Sequence, residues 1–256
     1  MDPFVDESWL ADHLDDVIVC HVGTTMTGSD PRAAFTDGHV PGARYVSLDD
    51  DLADPPQPGL GRHPLPDAER FSSLLGRLGI TRNDRVVAYD GRGGGFAARL
   101  VWMLRITGHD AALLAEPWTR PLETGSVEVE PVERAPLAWP DDAIADSDAV
   151  AAHVRRGGAV VDSRDPARYR GETEPIDAVA GHVPGAINIP FTSDDPDRFV
   201  PVGSDRDAIV YCGSGVTACY NALAIEAAGL PRPRVYVGSW SGWSTEPDRP
   251  VATATD

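Results

Sequence analysis

The chain has 256 residues, which fits either one large domain or two small ones. Its composition, 42% hydrophobic and 24% charged with 25 Gly and 23 Pro, is typical of a globular protein with many turns. The formal charge of −18 disfavours nucleic acid and anionic membranes as partners. Every basic residue is Arg, which excludes chemistry on a lysine amine.

Short apolar strands separated by helices are predicted along the chain. In chain order these elements are strands at 17–19 and 86–88, a helix at 96–106, a strand at 111–114, a helix at 147–154, strands at 159–161, 187–189 and 209–211, a helix at 216–228 and a strand at 235–237. Ser147 is expected to cap the helix that it begins, and Gly229 to end the helix before it. Apolar strands that do not alternate with polar residues indicate a mainly parallel sheet with helices on both faces, so the predicted class is α/β.

An internal repeat divides the chain. Residues 37–43 (DGHVPGA) return as residues 180–186 (AGHVPGA), and each is followed by a β-prone stretch. The extra stretch 50–67 in the first copy, rich in Asp, Pro and Gly, is interpreted as a loop. Two copies of one α/β unit therefore fit better than one large domain. We predict an N-terminal domain over 1–118, a Pro-rich linker over 119–142 and a C-terminal domain over 143–256.

Compartment and bound groups can be predicted from the same residues. The longest apolar runs are too short to span a bilayer, and the N-terminus carries acidic rather than basic residues, so neither a membrane helix nor a secretion signal is expected. Cys20, Cys212 and Cys219 lack the spacing of a disulfide framework or a zinc site. Residues 91–95 (GRGGG) lack the Lys-Ser/Thr of a phosphate loop. We expect a cytoplasmic location, free thiols, no metal and no cofactor.

The most informative turn follows the strand at 209–211. It consists of Cys212, Gly213, Ser214, Gly215, Val216 and Thr217. A loop with two glycines can fold back so that several backbone N–H groups point at the thiol, and together with the helix N-terminus they stabilise a thiolate or an anion bonded to it. Ser214 and Thr217 add hydroxyl donors. The alternative, that Cys212 is an apolar core residue and the glycines serve only the turn, leaves both hydroxyls without a purpose.

With these motifs the chain resembles the two-domain form of the rhodanese family of sulfurtransferases. The resemblance is carried by the repeated GHVPGA segments, residues 161–164 (VDSR), residues 168–171 (RYRG), the six-residue cysteine loop and residues 236–243 (YVGSWSGW). It covers nearly the whole chain and implies two tandem rhodanese-like domains. It also implies a cycle in which Cys212 takes a sulfane sulfur from a small anionic donor, holds it as a persulfide, and gives it to cyanide or a thiol. Asp90 stands at the cysteine position of the first copy, which is expected to be catalytically silent.

The same resemblance bears on the sulfur donor. The loop looks like that of 3-mercaptopyruvate sulfurtransferases, whereas thiosulfate-specific relatives carry Arg and Lys at its second and third positions. We therefore expect 3-mercaptopyruvate as the donor and keep thiosulfate as the alternative. Arg168 matches the family's substrate-binding arginine, and Arg164 is a candidate either for the substrate entrance or for ion pairs in the core. The further arginine usual in mercaptopyruvate enzymes is absent from the corresponding stretch, residues 172–177 (ETEPID), which is acidic.

Residues of the first copy are candidates for a proton relay. By resemblance, His63 and Asp49 match a His and an Asp that have been proposed to form a relay with the loop serine. A lone His in a Pro-rich loop is more often a surface residue, so both interpretations stay open. His39 and His182 are expected to be structural, because the silent copy keeps the same residue.

Two other classes of function are weighed against sulfur transfer. Cysteine phosphatases share the fold but need an Arg six positions after the nucleophile, where this chain has Ala218. A non-catalytic module for sulfur sensing or protein interaction is the other alternative, and the intact cysteine loop argues against it. Cys219, seven positions after Cys212, is a candidate resolving thiol or a buried helical cysteine.

Overall fold

The structure is a computed structural model of the chain and describes residues 1–203 and 205–254. The chain divides into two compact units. The first comprises Met1–Asp54 and Leu65–Pro140, and the second comprises Pro55–Pro64 and Asp141–Asp256. Within the described residues, each unit contains one five-stranded sheet in which every strand pair is parallel. The predicted α/β class with tandem parallel sheets is confirmed.

The first unit is built on strands β1 to β5 in the spatial order β1-β5-β4-β2-β3. The strands are β1 (Phe4–Val5), β2 (Ile18–Gly23), β3 (Arg44–Ser47), β4 (Arg85–Tyr89) and β5 (Asp110–Leu114). The helices are α1 (Glu7–Asp12), α2 (Pro31–Asp37), α3 (Leu48–Asp51), α4 (Ala68–Arg77) and α5 (Ala97–Ile106). The described stretch between β5 and Asp141 contains no helix or strand, in keeping with its prolines.

The second unit repeats this topology with the order β6-β10-β9-β7-β8. Its strands are β6 (Ile144–Ala145), β7 (Val160–Asp162), β8 (Ile187–Asn188), β9 (Ile209–Tyr211) and β10 (Arg234–Tyr236). Its helices are α6 (Ser147–Arg155), α7 (Pro166–Tyr169), α8 (Ala218–Ala227) and α9 (Ser239–Trp243). Each strand occupies the position of its counterpart five labels earlier, so the two sheets have the same topology.

The central strand of each sheet carries the loop at which the two copies differ. In the first unit β4 is followed by Asp90, and in the second β9 is followed by Cys212. The helices after these loops, α5 and α8, are apolar almost all round, because each lies in the interior of its unit. Gly229 adopts φ +75° and ends α8, as predicted, with the Leu230 N–H reaching back to the carbonyl of Ile225.

The repeated GHVPGA segments form the same structure twice. The ring of His39 stacks on Phe35 with 4.0 Å between ring centroids, and the ring of His182 stacks on Tyr169 at 3.8 Å. In both copies the Nδ1 atom of the histidine lies 2.8 Å from the carbonyl oxygen of that aromatic residue. Both histidines also form a backbone bridge, His39 with Glu123 and His182 with Ala252. Their contacts are structural ones within each unit.

Some predicted details are wrong. The carboxylate of Asp146, not the hydroxyl of Ser147, caps α6 by accepting a hydrogen bond from the N–H of Ala149. The two-residue strands β1 and β6 and the helices α1, α2, α3, α4, α7 and α9 were not predicted. A strand of two residues is too short to show periodicity, and α4 follows a Pro-rich stretch that obscures where a helix could begin.

Across residues 1–203 and 205–254, no helix has both the length and the apolar character required to cross a membrane.

Candidate functional site

Cys212 is the first residue after β9, at the carboxyl end of the central strand of the second sheet. Its side chain and backbone are buried, with only 2% of the residue exposed. Open parallel sheets bind their ligands at the carboxyl ends of the strands, where the loops to the helices diverge. The loop 212–217 and the first turn of α8 therefore meet where a ligand of this fold is expected.

The loop cannot relax away from this position, because α9 holds it from the side. The N–H groups of Trp240 and Ser241 donate to the carbonyl oxygens of Cys212 and Gly213, both at 2.9 Å. In return the N–H of Cys212 donates to the hydroxyl of Ser239 at 3.1 Å. These bonds hold both carbonyl groups against α9 and pre-organise the backbone around the thiol.

Two backbone conformations of the site are unusual. Gly215 adopts φ +76°, and a Cβ atom there would lie 2.4 Å from the carbonyl oxygen of Val237, so only glycine fits. Among the described residues, Ser239 is the one non-glycine residue with positive φ, at 51°. Strain of this kind is tolerated where the surroundings impose it, and it is concentrated at functional sites. No residue pattern around Ser239 indicates this conformation in advance.

The segment Pro55–Pro64 contributes to this site. It derives from the extra loop of the first copy but belongs to the second unit. The N–H of Arg62 donates to the hydroxyl of Ser241 at 3.0 Å, and a Cβ atom on Gly61 would lie 2.4 Å from the carbonyl oxygen of Gly238. This close packing brings His63 to the cysteine loop, where its Nδ1 atom lies 2.9 Å from the hydroxyl oxygen of Ser214.

Asp49, the other relay candidate, lies in the first unit. Its carboxylate accepts hydrogen bonds from the N–H and hydroxyl of Thr25, at 2.8 and 2.9 Å, and longer ones of 3.3 Å from the hydroxyl of Thr24. These bonds fix the turn after β2. A role for Asp49 in a relay stays a prediction.

Arg168 lies at the cysteine loop and is held by acidic residues. Its Nη2 and Nε atoms donate to the two carboxylate oxygens of Glu174, at 2.6 and 3.1 Å, and its Nη2 lies 3.3 Å from the carboxylate of Asp177. Burial alone would raise the pKa of Glu174, but the hydrogen bond from Arg168 and those from the backbone N–H groups of Asp177 and Ile176 lower it. Glu174 therefore stays ionised and fixes the orientation of Arg168.

Sequence reasoning missed a second arginine at this place. Arg62 forms an ion pair with Asp177. A Cβ atom on Gly213 would lie 3.3 Å from the Nη2 of Arg62 and 3.4 Å from the Nη1 of Arg168. Two guanidinium groups thus reach the second residue of the cysteine loop. The one signal available in the sequence was the position of Arg62 directly before His63.

Arg164 is almost fully buried, with 3% of the residue exposed. It donates to the carboxylate of Asp162 through Nε and Nη2, and its Nη2 also donates to the carbonyl oxygen of Gly181 at 2.6 Å. Burial alone would lower the pKa of Arg164, but the Asp162 carboxylate outweighs it and raises the value. The guanidinium also lies 4.8 Å from the ring centroid of Trp240. These contacts join β7 to α9 and make Arg164 part of the core.

The remaining loop candidates are mainly backbone elements. Val216 is buried, and Thr217 stands at the N-cap position of α8 without a capping bond from its side chain. Cys219 is fully buried in the first turn of α8 and donates its thiol to the carbonyl oxygen of Gly215 at 3.4 Å. In the described part of the chain, no group of three His, Cys, Asp or Glu side chains converges as metal ligands would.

The matching loop of the first unit shows what such a turn binds. The carboxylate of Asp90 accepts four backbone hydrogen bonds, from the N–H groups of Arg92, Gly94, Phe96 and Ala97, at 2.8, 2.9, 2.7 and 3.1 Å. The side chain is buried, so these four N–H groups replace the water molecules that would otherwise hydrogen-bond to the carboxylate. The silent copy therefore holds an anion of its own at the position where the other copy has a thiol.

Comparison with known proteins gives three findings. The family model described as "Rhodanese-like domain" matches residues 8–120 and 146–246. The chain is 39% identical over 245 residues to the "Probable 3-mercaptopyruvate sulfurtransferase" of Pseudomonas aeruginosa, and the alignment covers 86% of each protein. It is 32% identical over 244 residues to the thiosulfate sulfurtransferase of the same organism, and that alignment covers 86% of this chain and 87% of the relative. The crystal structure of the 3-mercaptopyruvate sulfotransferase SseA from Escherichia coli superposes with a TM-score of 0.79 at 29% identity, over 94% of this chain and all of that one.

Proposed function

Because this chain belongs to the rhodanese-like family and carries two copies of its domain, we propose that it is a sulfurtransferase working through a persulfide on Cys212. The observation that carries the proposal is the position of that thiol. It lies at the carboxyl end of the central strand, in a loop held by α9, with two guanidinium groups at the neighbouring Gly213. Relatives that are named as sulfurtransferases align with most of the chain.

Sulfur transfer requires two displacements at Cys212. In the first, the thiolate attacks the sulfur of 3-mercaptopyruvate, an S–S bond forms, the C–S bond breaks, and the electron pair and the thiol proton go to carbon to give pyruvate. In the second, cyanide or a thiolate attacks the outer sulfur of the persulfide, and the electron pair of the S–S bond returns to Cys212. Backbone N–H groups directed at the loop interior, as at Asp90 in the silent copy, stabilise the negative persulfide between the two steps.

Two features favour 3-mercaptopyruvate over thiosulfate as the donor. Gly213 and Ser214 add no charge of their own to the loop, whereas a loop with Arg and Lys at these positions would offer a dianion two cationic partners within the loop itself. A keto acid instead presents one carboxylate, for which Arg168 is in place beside Gly213. Thiosulfate stays the alternative donor for the same nucleophile. A cytoplasmic location stays a prediction from the sequence.

Thiocyanate formation with the purified protein tests this proposal. With cyanide as acceptor, we expect kcat/KM for 3-mercaptopyruvate to exceed that for thiosulfate by at least about tenfold, the difference made by one charge-assisted hydrogen bond. A higher value with thiosulfate would reverse the donor assignment and keep the nucleophile. No thiocyanate above the protein-free rate with either donor would overturn the proposed function.

We also propose that His63 and Ser214 move a proton during the first displacement. Their 2.9 Å contact supports this, since the imidazole and the hydroxyl can exchange a proton at that distance. 3-Mercaptopyruvate must pass its thiol proton to carbon, whereas thiosulfate has no proton to transfer. The two donors therefore differ in their need for the pair.

His63→Gln is expected to lower kcat/KM for 3-mercaptopyruvate by about a hundredfold and that for thiosulfate by less than about threefold. The matched control is His13→Gln in the first unit, where the ring stacks on Trp9 and both donors are expected to react as before. An equal loss with both donors would show that His63 only supports the loop, and no loss with either would remove it from the reaction.

A further inference from the structure

Two arginines from distant parts of the sequence meet at the second residue of the cysteine loop. Arg62 belongs to the segment Pro55–Pro64, and Arg168 to α7. Their guanidinium nitrogens lie 3.3 and 3.4 Å from the point that a Cβ atom of Gly213 would occupy. The residue next to the nucleophile therefore has two adjacent cations and no side chain of its own.

One carboxylate connects the two arginines. Asp177 is paired with Arg62 through Oδ1, and its Oδ2 lies 3.3 Å from the Nη2 of Arg168. Each oxygen thus faces a different guanidinium group, which is the arrangement in which a bound carboxylate would bridge them. Burial leaves only 7% of the Asp177 side chain exposed.

Asp177 differs from the other acid of the cluster. Glu174 holds Arg168 through both of its oxygens and also accepts two backbone N–H groups, so it is fixed. For Asp177, burial dominates and raises the pKa, although Arg62 opposes the shift. The ionised form of Asp177 is therefore less well stabilised than that of Glu174, and another anion can replace it at lower cost.

We infer that Arg62 is a donor-binding residue: with Arg168 it binds the anionic group of the sulfur donor beside Cys212, and Asp177 occupies that place until the donor displaces it. The inference rests on the proposed function for the identity of the donor. It accounts for two acidic residues of the stretch 172–177, because Glu174 orients Arg168 and also pairs with Arg164, while Asp177 bridges Arg62 and Arg168. It also supplies a local cationic site in a chain of formal charge −18.

The test compares a charged and a neutral alkylating reagent on the full-length protein. Iodoacetate carries a carboxylate and iodoacetamide does not, and peptide mapping by mass spectrometry gives the rate of modification of Cys212 by each. Arg62→Gln is expected to lower the ratio of the iodoacetate rate to the iodoacetamide rate about tenfold, and Asp177→Asn to raise it severalfold. Arg62→Lys keeps the charge and is expected to recover part of the ratio. The matched control Arg170→Gln removes an arginine that pairs with the exposed Glu172, and the ratio is expected to stay unchanged.

Steady-state kinetics provides the second measurement. Arg62→Gln and Arg168→Gln are each expected to raise KM for 3-mercaptopyruvate about tenfold, and Asp177→Asn is expected to lower it. An unchanged ratio and an unchanged KM in Arg62→Gln would overturn the inference while leaving sulfur transfer intact. A slower reaction with both reagents at a constant ratio would also overturn it, since that result indicates loop disruption. Should the unsubstituted protein transfer no sulfur, the alkylation ratios still decide whether Arg62 binds anions.

Discussion

Serine in place of Cys212 is expected to lower the rate of thiocyanate formation at least about a thousandfold with either donor. The hydroxyl of serine is a far weaker nucleophile than a thiolate, and it forms no persulfide, so neither displacement has a productive path. The rate of thiocyanate formation from 3-mercaptopyruvate and cyanide is the measurement. Since serine is close in size to cysteine, the loop and the 2.9 Å bonds from α9 are expected to persist.

Two other thiols provide the controls for this substitution. Cys20 is fully buried in β2, and burial raises its pKa to about 12, so the thiol stays protonated at neutral pH. Cys219 is also fully buried and engaged with the backbone of Gly215. Cys20→Ala and Cys219→Ala are expected to retain activity per folded molecule. Activity in Cys212→Ser comparable to that of the unsubstituted protein would refute Cys212 as the nucleophile.

The second large effect is expected on stability, from Asp90→Ala. This change leaves four backbone N–H groups of the turn after β4 without their acceptor, and those of Gly94 and Ala97 are buried. Hydrogen bonds to a charged group contribute about 1.5 to 3 kcal/mol each, and their effects within one turn are not additive. We therefore expect the free energy of unfolding of the first unit to fall by about 3 to 5 kcal/mol. Urea denaturation followed by tryptophan fluorescence measures it, since Trp102 is buried in α5, the next helix.

Two variants separate the turn from a general charge effect. Asp90→Asn keeps one acceptor oxygen and is expected to lose less stability than the alanine variant. Asp37→Ala removes an exposed carboxylate from the end of α2 and is expected to change stability by less than about 0.5 kcal/mol. A loss in Asp90→Ala no larger than in Asp37→Ala would mean that the turn is stable without an anion, which would weaken the same argument for the persulfide loop.

The fold could be predicted because the sequence contains two copies of the same α/β unit. The GHVPGA segments and the apolar runs before Asp90 and Cys212 recur in the same order, and each recurrence confirms the interpretation of the other. The strands of a buried parallel sheet are short continuous apolar runs, which a single pass along the chain detects. Strands β1 and β6 lie at the sheet edges with two residues each, and such strands are defined by their pairing partners rather than by their own residues.

The candidate site was predictable where its residues are adjacent in sequence. The loop 212–217 is contiguous, and its glycines and hydroxyls have a chemical meaning together. Arg62, Asp177 and Ser239 could not be assigned, because each acquires its role from packing across the second unit. Nothing local to Arg62 indicates an ion pair with a residue 115 positions away. Ser239 needs a positive φ that its type does not favour, and the surrounding bonds impose that conformation.

The most direct test of the account is the mass of Cys212 after exposure to the donor in the absence of an acceptor. Protein incubated with 3-mercaptopyruvate or thiosulfate, then trapped with a neutral alkylating reagent and digested, is expected to carry one additional sulfur atom on the peptide containing Cys212. Subsequent addition of cyanide is expected to remove that sulfur and release an equal amount of thiocyanate. Thiocyanate formation at the full rate with no sulfur on Cys212, or with the sulfur on Cys20 or Cys219, would contradict a persulfide at Cys212 as the carrier.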